Sequence, residues 1–245
     1  MNTNMKDKVK MSVAISILSI IVIIVLMIVV QYQIEGEKNM PYKLSKIIII
    51  STAEGERASG QEDTIWDLTV NQSNDIYFFI DKNTEKEEII DSVTIENIQI
   101  TKAPTKGTIQ TFMPSSVEGS DFTYNEEYIV ENKLEYKGGK TSNPKSLEIG
   151  NQGGSALIRF SNTNIGKFTS NEGDEIKYDG TLITKAGIQE EDIKFQVNFD
   201  LVIQINKIKY KANITLDLPC NKICEDGTTT REITDMSNIA FKRIQ

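Results

Sequence analysis

Residues Ile193–Leu218 read IKFQVNFDLVIQINKIKYKANITLDL. Ile193, Phe195, Val197, Phe199, Leu201, Ile203 and Ile205 recur at every second position. Lys194, Gln196, Asn198, Asp200, Val202, Gln204 and Asn206 fill the places between them. After Lys207 the same period returns, with Ile208, Tyr210, Ala212, Ile214, Leu216 and Leu218 alternating with Lys209, Lys211, Asn213, Thr215 and Asp217. A period of two is that of a strand with one buried face. A two-residue turn at Asn206-Lys207 sets Ile205 opposite Ile208, Ile203 opposite Tyr210, Leu201 opposite Ala212 and Phe199 opposite Ile214. A slip of one residue would turn one strand's apolar set toward water, so the pattern specifies both hairpin and register.

The same signals extend outward from this hairpin. Asp179-Gly180 is a preferred type I′ dipeptide and predicts a shorter hairpin pairing Tyr178 with Thr181 and Ile176 with Ile183. Further strands are predicted over Lys43–Ser51, Ile65–Val70, Ile76–Ile80, Val93–Thr101, Thr108–Phe112, Tyr128–Tyr136, Ala156–Ser161 and Ile239–Ile244. The apolar phase changes at Glu96-Asn97, which predicts a β-bulge. Asn151-Gln152-Gly153-Gly154 predicts a turn with positive φ. Asn83–Asp91 lacks alternation, begins with a cap residue and is acidic early, so one or two turns of helix are expected there. About ten short strands with turns between them imply a mainly β fold, a β-sandwich of jelly-roll-like or immunoglobulin-like arrangement. The alternative is two small β domains divided near Lys137–Pro144.

One segment is of a different kind. Met11–Val30, MSVAISILSIIVIIVLMIVV, carries no charge over twenty residues. At about 1.5 Å per residue it spans roughly 30 Å, the depth of a bilayer's hydrocarbon core. No small-residue cleavage pattern and no cysteine follows it, so an uncleaved transmembrane helix is expected rather than a removed signal peptide. Lys6, Lys8 and Lys10 precede the run and Glu35 and Glu37 follow it, which points the N-terminus to the cytoplasm. The expected layout is a cytoplasmic tail over residues 1–10, a membrane span over 11–30, a short polar tether over 31–41 and an extracytoplasmic β domain over 42–245. Tyr32 stands where an interfacial aromatic would. Ser12, Ser16 and Ser19 share one face of the helix, a candidate surface for a second helix.

The 245-residue chain has a formal charge of −8 and no histidine. Lys6, Lys8 and Lys10 against Asp7 make the first ten residues +2, so the remainder carries −10. Such a charge disfavours nucleic acid and the anionic membrane surface as partners. Without histidine the commonest general base, the usual Ser-His and Cys-His pairs and imidazole metal sites are missing. Cys220 and Cys224 are close enough to close a small disulfide loop outside the cytoplasm. Free thiols are the alternative, and two thiolates alone make a poor zinc site.

Candidate ligand positions are sparse. Asn171–Glu175 with Asp179 is rich in oxygen donors but lacks the EF-hand spacing. Glu85, Glu87, Glu88 and Asp91, and Glu190, Glu191 and Asp192, are local carboxylate clusters, whereas glycoside hydrolysis needs two carboxylates facing across a cleft. Trp66 is the only tryptophan and the candidate aromatic platform for a sugar, with core packing as the competing role.

The layout, with the phrases Pro41-Tyr42-Lys43-Leu44-Ser45-Lys46-Ile47 and Ser51-Thr52-Ala53-Glu54-Gly55, resembles uncharacterised, signal-anchored envelope proteins of clostridia and related Gram-positive bacteria. The resemblance implies a place at the cell membrane and carries no known chemistry. The expectation is therefore a membrane-anchored, non-enzymatic interaction or structural module of the cell envelope with no cofactor. Its partners would be the lipid bilayer through residues 11–30 and an envelope protein or the cell wall. A carbohydrate- or peptidoglycan-binding domain is the second expectation, and a carboxylate-based hydrolase the third.

Overall fold

A computed structural model describes residues 3–57, 66–85, 87–114, 122–123, 132–139, 147–170 and 180–244. The chain runs from a long helix α1 (Thr3–Glu35) into β1 (Tyr42–Arg57), β2 (Asp67–Lys82), β3 (Ile90–Lys102), β4 (Thr108–Pro114), β5 (Phe122–Thr123), β6 (Leu134–Gly138), β7 (Leu147–Ile149) and β8 (Gly154–Thr169). Two single-turn helices, α2 (Leu182–Lys185) and α3 (Glu190–Ile193), lead to β9 (Phe195–Ile205) and β10 (Ile208–Leu218). A third, α4 (Ile223–Asp226), precedes β11 (Thr228–Ile233) and β12 (Lys242–Ile244). The described strands form two six-stranded sheets, ordered β11-β1-β2-β8-β4-β5 and β12-β10-β9-β3-β6-β7.

The β9–β10 hairpin has the expected register, with Ile205 opposite Ile208 and Phe199 opposite Ile214. Asn206 and Lys207 both take positive φ, 46° and 68°, as a type I′ turn requires. The bulge is also present: β3 slips against β9 between Glu96 and Gln99, with Asn97 at φ 55°. The inner faces of the two sheets meet in one core. Ile47, Ile49, Ile76, Phe78, Ile158 and Phe160 on one side face Val93, Ile95, Val197, Phe199, Leu201 and Ile203 on the other. Phe78 and Phe199 pack edge-to-face across it, ring centres 5.5 Å apart. Strands on both sides of Lys137–Pro144 interleave, β8 pairing with β2 and β9 with β3, so that stretch does not divide the sheets.

A second apolar cluster lies at the other end of the long strands. Ala53, Leu68, Val70 and Ile165 are capped there by Leu182, Ile183, Ile188, Ile193 and Ile223 from the helical segments. A belt of buried polar side chains, Ser51, Gln72, Asn74 and Asn162, separates the two clusters. Ser51 donates to Asn74 Oδ1 at 2.7 Å and accepts from the Cys220 amide at 2.8 Å. Gln72 and Asn74 exchange amide hydrogen bonds at 2.9 and 3.0 Å, and Asn74 also donates to the Phe160 carbonyl. Asn162 donates to the Lys106 carbonyl at 2.9 Å, while its buried Oδ1 has no partner among the described residues. The rest of the belt is satisfied, as buried polar groups generally are.

Several expectations are corrected. No helix forms between Asn83 and Ile89 among the described residues; Ile90 and Asp91 already belong to β3. Asn83 does not cap a helix: its amide and side chain donate to the carbonyls of Pro41 and Met40, stitching the loop to the start of β1. The hairpin expected at Asp179-Gly180 puts Ile183 in a strand. Ile183 lies in α2 instead, because the second cluster needs a lid; residues 171–179 lie outside the described part. Ile193 closes α3 and not β9 for the same reason. The candidates at Ile65–Val70 and Ile76–Ile80 merge into β2, the intervening Gln72 and Asn74 facing inward within the belt. In Tyr128–Tyr136 only the last residues are described, as β6. The strands β5, β7 and β11 were not expected. Within the short segment 31–41, α1 continues to Glu35 and Met40 is buried in the main core.

Candidate functional site

From Met11 to Val30 sixteen large apolar side chains stand 46–64% exposed, and residues Val13–Glu35 are long and apolar enough to cross a membrane. Each such side chain left in water forgoes about 1.5–3 kcal/mol of burial. Across the run the sum exceeds the roughly 5–15 kcal/mol that holds a domain folded. The helix surface therefore requires an apolar surrounding that the sandwich does not supply. Ser19 satisfies its hydroxyl within the helix, donating to the Ile15 carbonyl at 2.9 Å. Ser16 is exposed, and the side chain of Ser12 lies outside the described residues.

The last turn of α1 is built into the sandwich. Tyr32 Oη accepts from the Arg243 amide at 3.1 Å, and Gln33 Oε1 accepts from Lys242 Nζ at 2.5 Å. The chain then turns at Gly36, φ 73°, where the Glu37 amide donates to the Phe241 carbonyl at 2.7 Å. A Cβ at Gly36 would stand 2.4 Å from that carbonyl oxygen, so only glycine fits this close approach. Met40 and Phe241 then enter the main core. The first and last described elements of the β domain's surroundings, α1 and β12, thus meet at one corner.

The paired carboxylates are held by basic groups and amides. Arg159 grips Asp75 through two bonds, at 2.6 and 2.8 Å, and reaches Glu54 at 3.4 Å on the outer face of the first sheet. Asp192 caps α3 through the Gln189 amide and pairs with Lys106 at 3.0 Å. Lys194 holds Glu190 and Glu191. Asp200 is 8% exposed and bound by Asn97, Asn213 and Lys211. Burial opposes its charge, but the bonds from Asn213, Asn97 and Lys211 outweigh that, and its carboxyl titrates below the usual range. Among the described residues no three of His, Cys, Asp and Glu gather as a metal site. Asn171–Glu175 and Asp179 lie outside the described residues.

The expected disulfide is absent: Cys220 and Cys224 are free thiols. They belong to different cores. Cys220 is buried in the main one, its Sγ 3.6 Å from the Ile49 carbonyl, whereas Cys224 packs against the second cluster. Burial, with Glu190, Asp192 and Glu225 nearby, pushes the Cys224 thiol up to about 11, so it is not a ready nucleophile.

Trp66 is 38% exposed, with the Arg57 guanidinium 5.5 Å from its ring centre. Ser170 anchors its backbone through both the Trp66 amide and carbonyl. No planar row of aromatics accompanies it: away from α1, the other large apolar side chains exposed among the described residues are Ile89 and Ile100. Tyr77 and Phe79 are half-buried on the outer face of β2, well separated from Trp66.

Sequence reasoning missed the polar belt and the junction with β12. The belt could have been read from inward positions occupied by Ser51, Gln72 and Asn74. The junction had only a faint signal, Gly36 after the apolar run. No family model matches the chain, and no curated protein matches it.

Proposed function

We propose that this chain is a membrane-anchored, non-enzymatic interaction or structural module of the bacterial cell envelope, with α1 crossing the bilayer and the sandwich outside the cytoplasm. The observation that carries this reading is the junction. Tyr32, Gln33 and Glu37 bind Arg243, Lys242 and Phe241 directly, so the sandwich is held at a fixed height and not on a flexible leash. Such a joint suits a module that presents a surface to a neighbour. Lys6, Lys8 and Lys10 before the span support the orientation. The described carboxylates engaged in ion pairs and caps support a role without acid–base chemistry. Crosslinking in intact cells followed by mass spectrometry tests the reading. It should recover a reproducible envelope partner linked to residues of the sandwich; recovery of the monomer alone would contradict it.

A second reading, binding of carbohydrate or peptidoglycan, draws on the exposure of Trp66 beside Arg57. Trp66→Ala should then lower retention of the protein on purified cell wall at least about fivefold, as the loss of one stacked aromatic worth about 1–3 kcal/mol implies. Unchanged retention would reject it.

A further inference from the structure

The outer face of β10 and β12, at the corner where α1 meets β12, carries Lys209, Lys211 and Lys242, although the chain beyond residue 10 carries a net −10. Lys242 and Arg243 lie on β12 itself. Register places Ile244 opposite Lys209 on β10, and β10 leads back to Lys207 in the hairpin turn. Lys207, Lys209 and Arg243 are exposed and Lys242 is half-buried. None of the four makes an ion pair among the described residues. Of the nearby acids, Asp200 holds Lys211, Glu35 holds Lys38, and Asp91 accepts from the Gln204 side chain and the Lys207 amide. Glu37 and Glu88 stand near Tyr210, on the opposite face of β10 from Lys209.

The junction fixes the depth of this strip. If the apolar run ends at the hydrocarbon boundary at Val30, Tyr32 and Gln33 stand about 3–5 Å beyond it at a rise of about 1.5 Å per residue. The headgroup layer adds about 5–7 Å to each side of the hydrocarbon core. Arg243 and Lys242 are bonded to those two residues at 3.1 and 2.5 Å and therefore share their level. Tyr32 itself has the amphipathic ring that favours this layer.

We propose that Lys207, Lys209 and Lys242 form a docking strip for the phosphates of anionic lipids in the leaflet from which α1 emerges. Arg243, opposite the core residue Tyr210, faces the other way. The proposal rests on the reading of α1 as a membrane span. A basic residue near an anionic surface contributes about 1 kcal/mol, and the contribution falls with salt. The strip would fix the tilt of the sandwich about its joint and give it a preference for anionic bilayers.

Hydrogen exchange on the full chain in nanodiscs tests this. Discs of phosphatidylcholine alone are compared with discs containing phosphatidylglycerol. Amides of the β9–β10 turn and of β12 should exchange at least about threefold more slowly in the anionic discs, the effect expected of one or more phosphate contacts. High salt, or Lys207→Glu with Lys209→Glu, should abolish the difference, while Lys167→Glu on the remote end of β8 should preserve it. Equal exchange in both discs, with the chain still retained after an alkaline wash, would overturn the docking strip alone. Slowing by inorganic phosphate in neutral discs would overturn a lipid source. Loss of the chain from the discs on washing would overturn the membrane span and the strip with it.

Discussion

β9 and α1 are both strongly apolar, yet their surroundings are opposite. Eight of the eleven residues of β9 are buried, with Phe199 and Leu201 fully so. Along α1, from Met11 to Val30, the large apolar side chains remain about half exposed, and the candidate span is 0% buried. The difference lies in the period. β9 alternates, so its apolar residues share one face that a second sheet can cover. Met11–Val30 has no period and is apolar all round, so no single protein face can cover it. Length agrees, since the run matches the depth of a bilayer.

The sharpest way to break the comparison is to put charge on α1. Ile20→Arg with Ile24→Arg adds about 2.5–3.5 kcal/mol per residue at the centre of a span. The doubly substituted chain should leave the membrane fraction on flotation, while the sandwich keeps its melting temperature. Next comes Phe199→Ala on β9, which should cost about 3–5 kcal/mol in chemical denaturation and leave membrane association unchanged. In the polar belt, Asn74→Ala strips partners from Ser51 and Gln72 and should cost about 1–3 kcal/mol by the same measurement. Gly36→Ala forces a Cβ into a positive-φ position against Phe241, a strain of about 1–2 kcal/mol. Faster limited proteolysis between residues 36 and 41 should report it.

The smallest effect concerns Asp200. Its carboxyl is held below the usual range, so its contribution to stability is present in full above the ordinary aspartate pKa of about 3.9. That contribution is lost as pH falls through the lowered value. Asp200→Asn should flatten the stability curve below about pH 4, and a curve parallel to the parent's would remove Asp200 from the account.

Legibility followed the same division. The hairpin Phe195–Leu218 was readable to the residue because its alternation is unbroken and its turn is short. The bulge at Asn97 was readable because the apolar phase changes there. The segments around Ile183 and Ile193 were misread because a capping turn buries apolar residues that local alternation assigns to strands. Asn83 was misread because its side chain bonds to Met40 across the fold, a partner that local sequence does not reveal. The two cysteines, four positions apart, belong to separate cores, and spacing alone does not carry that information. Of the candidate site, the apolar helix was plain, whereas its joint with Phe241–Arg243 depends on contacts between distant parts of the chain.

The central claim is that α1 crosses the bilayer and holds the sandwich outside. Osmotically stabilised cells stripped of their wall, treated with a protease that cannot cross the membrane, test it most directly. The account predicts digestion of the sandwich in intact cells, leaving an alkali-resistant membrane fragment that contains Met11–Val30. A sandwich cleaved only after lysis, or a chain released by alkaline washing, would contradict it.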